Sequence, residues 1–78
     1  MTVKGYVLIE AAAGKVATVA KAVSEIEGVK SADAVTGPYD VIAVLEAEDV
    51  NSLGKTVTSK IQTIDGILRT ATCLTVRL

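Results

Sequence analysis

The chain has 78 residues, eight of them Lys or Arg and nine Asp or Glu, for a net charge of −1. Half of it is hydrophobic, yet it has no Trp, Phe or His, so the core is built from Val, Ile, Leu and Ala, with Tyr6 and Tyr39 the only aromatics. One small domain with a lone cysteine, Cys73, and no histidine has neither a disulfide nor the commonest metal ligand to support it, which leaves a partner subunit as the expected staple. The evenly spread charge lacks the basic stripe of a nucleic-acid-binding surface, and no apolar run approaches the ~20 residues of a membrane span.

Val3 to Glu10 reads as a first strand, with Val7-Leu8-Ile9 apolar on both faces. Lys15 to Glu27 then has a helical period: Val16, Val19, Ala20, Val23 and Ile26 share one face, and Lys15, Thr18, Lys21 and Glu25 the other. Gly14 offers no side-chain acceptor at its start, and Gly28 supplies a stop. Val29 to Thr36 is a polar second strand suited to a sheet edge. Gly37-Pro38 is a turn signal, because proline fixes φ and glycine accepts φ > 0.

Tyr39 to Glu46 is the most apolar strand, unbroken from Val41 to Leu45. Asp49 is placed to cap a second helix, Val50 to about Thr63, with Val50, Leu53, Val57, Ile61 and Ile64 on its apolar face. Gly54 inside that helix reads as a point of close packing on the sheet. Gly66 ends the helix, and Ile67 to Leu78 forms the last strand.

The order β-α-β-β-α-β, with matching joints Ile26-Glu27-Gly28-Val29 and Ile64-Asp65-Gly66-Ile67, predicts one domain over residues 1–78. Its fold class is α+β: a ferredoxin-like sandwich with a four-stranded antiparallel sheet and two helices on one face. Strands that are apolar on both faces need a second layer over the open face. Another copy of the same sheet is the simplest choice, so a face-to-face homodimer is expected.

Catalytic signals are absent. Gly54-Lys55-Thr56 is not a phosphate loop: the first glycine of that motif would fall at Asp49, and the triplet lies inside a predicted helix rather than before one. With no histidine to activate it, Cys73 reads as a buried or half-buried packing residue. Asp33, Asp40, Glu46, Glu48 and Asp49 have no metal-ligand spacing. On the last strand, alternation sends Arg69 and Ala71 to one face and Thr70 and Thr72 to the other. The turn Gly37 to Asp40 admits two readings: plain hairpin chemistry, with Asp40 bonding local N–H groups, or a site whose free N–H groups and carboxylate hold a zwitterionic head.

Val35-Thr36-Gly37-Pro38-Tyr39-Asp40 before an apolar strand, followed by Ile64-Asp65-Gly66-Ile67-Leu68-Arg69-Thr70-Ala71-Thr72, resembles the effector (RAM) domain of the Lrp/AsnC transcriptional regulators. The likeness covers essentially the whole chain. Asp65 departs from it, since relatives often carry proline before that glycine. The sequence starts at the first strand of the effector domain, so the expectation is a stand-alone RAM protein of the dimeric α/β-barrel type, with no DNA binding of its own.

The resemblance implies a non-enzymatic amino-acid sensor without cofactor; the first residues, Met1-Thr2-Val3-Lys4, lack the layout of a signal peptide, so a cytoplasmic protein with a reduced thiol is expected. The resemblance further implies dimers that assemble to an octamer and a free amino acid bound between dimers. Mixed assembly with a full-length Lrp/AsnC regulator is a further expectation. Gly37, Pro38, Tyr39 and Asp40 carry over as ligand-binding positions, joined by Thr70 and Thr72 on the last strand. Two other classes remain open: a small dimeric α/β-barrel enzyme of monooxygenase or isomerase type, which the lack of histidine disfavours, and a purely structural assembly partner.

Overall fold

The structure is a computed structural model that describes residues 2–78. Its elements are β1 (Val3–Ala11), α1 (Val16–Ser24), β2 (Val29–Ala34), β3 (Val41–Ala47), α2 (Val50–Thr56), which runs into a wide π-helical turn (Val57–Ile61), and β4 (Ile67–Leu74). The strands form one sheet in the order β2-β3-β1-β4, and every neighbouring pair is antiparallel. This is the expected α+β ferredoxin-like sandwich. Its two halves repeat: β1 and β3 begin 38 positions apart, as do β2 and β4. The joints repeat too. Gly28 and Gly66 sit at φ of 95° and 99°, a region that side chains resist. Each glycine carbonyl accepts from a neighbouring strand end, Gly28 from Glu46 at 2.9 Å and Gly66 from Ala12 at 2.8 Å.

Alternation on the central strands decides what is inside. Val7, Ile9 and Ala11 of β1 and Val41, Ala43 and Leu45 of β3 are buried beneath the helices. Val19 and Val23 of α1 close the core from above, with Leu53, Val57 and Ile61 of the second helical segment. Each fully buried Val, Leu or Ile stabilises by roughly 1.5–3 kcal/mol. The opposite parity, Tyr6, Leu8, Ile42 and Val44, faces the other side of the sheet, where the described residues supply no second layer.

Several expected boundaries shift. β2 stops at Ala34 and β3 starts at Val41, so Val35–Asp40 is a six-residue loop rather than a tight turn. β4 ends at Leu74 instead of Leu78, although Thr75 still donates to the Lys4 carbonyl through both its N–H and its hydroxyl, each at 3.0 Å. α1 runs from Val16 to Ser24 rather than from Lys15 to Glu27; its N-cap is Lys15, not Gly14, and makes no side-chain cap bond.

The second helix is not the uninterrupted α-helix expected. Leu53, Val57 and Ile61 are all buried but spaced four and four. At ~100° per residue, each such step drifts ~40° around an α-helix. The third side chain would then roll well off the core. A turn closed by Gln62 N–H donating to the Val57 carbonyl at 2.8 Å absorbs the drift, as a single π turn can.

The glycine in this helix has a different meaning from the expected one. A Cβ at Gly54 would meet nothing within 4 Å. The close approach is on the sheet side: a Cβ at Gly5 would lie 3.2 Å from Leu53 Cδ1 and 3.4 Å from the Cys73 carbonyl oxygen. Gly54→Ala is therefore expected to raise stability by about 0.5–1 kcal/mol, while Gly5→Ala lowers it by about 1 kcal/mol or more. Urea unfolding at fixed protomer concentration measures both.

Asp49 caps α2 as expected, accepting from Ser52 N–H at 2.7 Å. That bond, with a second from the Ser52 hydroxyl, holds its carboxyl below the usual carboxylate range. The cap therefore contributes fully above the ordinary pKa of about 4 and is lost as pH falls through the lowered value. Urea midpoints between about pH 5 and 2 should fall less steeply for Asp49→Asn than for the parent chain.

Candidate functional site

One end of the sheet gathers the Val35–Asp40 loop, the Ala11–Lys15 connection and the start of β4. Asp40 organises this end. Its N–H donates to the Ile9 carbonyl at 2.9 Å and its carbonyl accepts from Val35 N–H at 2.9 Å. Its carboxylate Oδ2 accepts from Ala11 N–H at 2.8 Å, across 29 positions of sequence. The side chain thus stands in for a main-chain carbonyl where β1 extends beyond the start of β3. The expected local bonding of Asp40 is replaced by this cross-strand staple, because β1 lies directly beside the loop's last residue.

The staple leaves the rest of the loop open. Gly37, at φ 139°, and Pro38 are exposed, whereas Tyr39 is half-buried. Among the described residues, the N–H groups of Gly37 and Tyr39 donate to no protein acceptor, and the second carboxylate oxygen of Asp40 accepts from none. The loop therefore offers donors for an anion and one acceptor for a cation.

Thr70 and Thr72 lie elsewhere. They pair with Ile9 and Val7 of β1 and so face the helix side of the sheet. Two strand spacings, roughly 10 Å, separate Thr70 from the loop. A single chain does not bring the four loop residues and the two threonines together. What it does bring to Thr70 is Gln62, whose Nε2 donates to Thr70 Oγ1 at 2.8 Å. Gln62 was not singled out by sequence reasoning. Its only forewarning was the four-and-four spacing of Leu53, Val57 and Ile61, which widens the turn just before it.

A groove of about 310 Å³ runs between β4 and the second helical segment, lined by Leu53, Val57, Thr58, Gln62, Thr72 and Leu74 among others. It exists because α1 lies over β2 and β3 and α2 over β3 and β1, so no helix lies squarely over β4.

The other face of β4 carries Arg69, which donates to Glu10 Oε2 at 3.0 Å directly across the ladder. Such a cross-strand ion pair is ordinary on an exposed β surface. Cys73, paired with Tyr6 on that same face, is exposed. The half-buried packing role expected of it is not met within one chain, because the face has no second layer. No group of three or more metal-ligating side chains occurs among the described residues, nor is any helix there long and apolar enough to cross a membrane.

Asp40→Ala leaves the part-buried Ala11 N–H unpaired and should cost about 1–3 kcal/mol. Asp40→Asn keeps an acceptor and should cost clearly less in the same urea titration.

No curated protein sequence matches the chain, but solved structures do. A protein from Thermus thermophilus is 34% identical with a TM-score of 0.92, over 97% of this chain and 95% of its own. FFRP-DM1 is 31% identical with a TM-score of 0.89, over 95% of this chain and 99% of its own. A Neisseria meningitidis transcriptional regulator, solved as an L-Met complex, shares the fold at 17% identity and a TM-score of 0.83, over 96% of this chain and 50% of its own. The family model described as the Lrp/AsnC ligand binding domain matches residues 4–77. The chain belongs to the Lrp/AsnC ligand-binding domain family, as its loop and β4 motifs indicated.

Proposed function

We propose that this domain is a non-enzymatic sensor of a free amino acid, and that it binds its ligand between subunits. The observation that carries the reading is the separation of two complementary half-sites. The Gly37–Asp40 loop presents free N–H groups and a carboxylate oxygen, suited to the carboxylate and ammonium of a zwitterion. Thr70 and Thr72 line the helix side of β4, roughly 10 Å away. A ligand that uses both must take the loop from one subunit and the β4 face from another. The Neisseria meningitidis regulator, with its L-Met, is a protein of the same fold that holds an amino acid.

The assembly this requires begins with the uncovered sheet face. Leu8, Ile42 and Val44 are only half-buried in one chain, and Tyr6 is 36% exposed. A second copy laid face to face would cover this apolar centre and Cys73 with it. Dimers formed in this way would leave the loops and the β4 grooves at their periphery, free to meet those of other dimers in an octamer. Regulation then follows from ligand binding at these contacts.

Titration calorimetry against the twenty amino acids is expected to show binding by at least one. Thr72→Val should weaken it about tenfold or more by removing a hydroxyl while leaving thermal unfolding unchanged. No heat with any amino acid at millimolar concentration would overturn the sensor reading. Sedimentation at micromolar protomer should find a dimer or larger, and Val44→Asp, which puts a charge at the centre of the open face, should shift it to monomer. A monomeric parent chain would overturn the face-to-face assembly.

A further inference from the structure

We infer that the groove beside β4 receives the side chain of an uncharged amino acid, and that Gln62 is the residue that selects it. The inference rests on the amino-acid reading above and adds the chemical class of the ligand.

The lining carries it. Leu53, Val57 and Leu74 form apolar walls, Thr58, Gln62 and Thr72 are uncharged, and no Asp, Glu, Lys or Arg lines the groove. Thr58 spends its hydroxyl on the Gly54 carbonyl at 3.1 Å, so it adds little polarity to the wall. Arg69 points to the opposite face of β4, where Glu10 holds it at 3.0 Å. A charged ligand side chain would find no counter-charge here and would lose hydration on entering, a cost that an aliphatic or amide side chain does not meet. At about 310 Å³ the groove stands at the lower end of the ~300–1,000 Å³ typical of small-molecule sites. That size suits one amino acid.

Gln62 stands at the polar end of the groove because of the wide turn before it. The Val57–Ile61 turn holds one more residue than an α turn, and its closing bond, from Gln62 N–H to the Val57 carbonyl at 2.8 Å, fixes the orientation of Gln62 directly. With one Nε2 hydrogen given to Thr70, the second Nε2 hydrogen, the carboxamide oxygen and the Thr72 hydroxyl remain as the groove's free polar groups. The apolar walls suit an aliphatic side chain, and a neutral donor and acceptor at one end suit a side chain ending in a neutral amide.

Calorimetry on the parent chain compares Leu, Ile, Val, Met, Asn and Gln with Asp, Glu, Lys and Arg. The best uncharged ligand should bind at least about tenfold tighter than any charged one. Gln62→Glu is close to isosteric and lies at an exposed position, so thermal unfolding should be unchanged. It should lose about tenfold for uncharged ligands and gain for Lys or Arg. Tightest binding of a charged amino acid to the parent chain, sensitive to Thr72→Val, would overturn this inference and leave the sensor reading standing. Unaltered selectivity in Gln62→Glu would overturn the role of Gln62. Absence of binding by every amino acid would overturn both readings.

Discussion

Two short helices cannot cover a four-stranded sheet, and most of what is distinctive in this domain follows from that shortage. α1 spans β2 and β3, and the second helical segment spans β3 and β1. Two surfaces stay uncovered: the whole far face of the sheet and the helix side of β4. They differ in chemistry because alternation assigns them different residues. The far face carries Tyr6, Leu8, Ile42, Val44 and Ala71 at its centre, which is the composition of a layer waiting for another layer. The helix side of β4 carries Thr70 and Thr72, with Leu74 at its lower end. A mainly apolar sheet centre favours protein against protein, whereas hydroxyls beside an apolar wall favour a small ligand with a polar head.

In the proposed sensor, Asp40 serves the scaffold and the ligand-binding loop together. A carboxylate has two oxygens. One, fixed by Ala11 N–H, continues the β1–β3 ladder past the end of β3. With Asp40 N–H also tied to Ile9 and its carbonyl to Val35, the loop is anchored at its base while its tip stays free. The donors of Gly37 and Tyr39 are then held in place before any ligand arrives, and a loop already ordered loses less entropy on binding than a mobile one. The cross-strand staple and the proposed ligand site are therefore not rivals. In the proposed sensor, the first is a condition for the second.

What was legible in the sequence was whatever depended on local rules. Continuous apolar runs at Val7–Ile9 and Val41–Leu45 marked the central strands, Gly28 and Gly66 marked the two joints, and Asp49 marked the start of α2. What was not legible depended on partners far away in sequence. Asp40 looked like a local turn residue because nothing nearby reveals that β1 will lie alongside it. Gly54 looked like a packing glycine, whereas Gly5, unremarked in its strand, is the one that Leu53 presses against. The wide turn was in principle readable, since four-and-four spacing of Leu53, Val57 and Ile61 does not fit a straight α-helix. Its consequence, Gln62 beside Thr70, needs the sheet as well as the helix.

Core composition links this architecture to sensing. The buried core side chains of the described residues are all aliphatic, and an aliphatic core in so short a chain leaves a small margin of stability. A protein with little margin responds strongly to anything that binds only its folded, assembled form, because such binding adds stability in proportion to the logarithm of ligand concentration. Under the arrangement proposed, the ligand touches the loop of one subunit and the β4 groove of another, so its binding energy enters the assembly equilibrium directly.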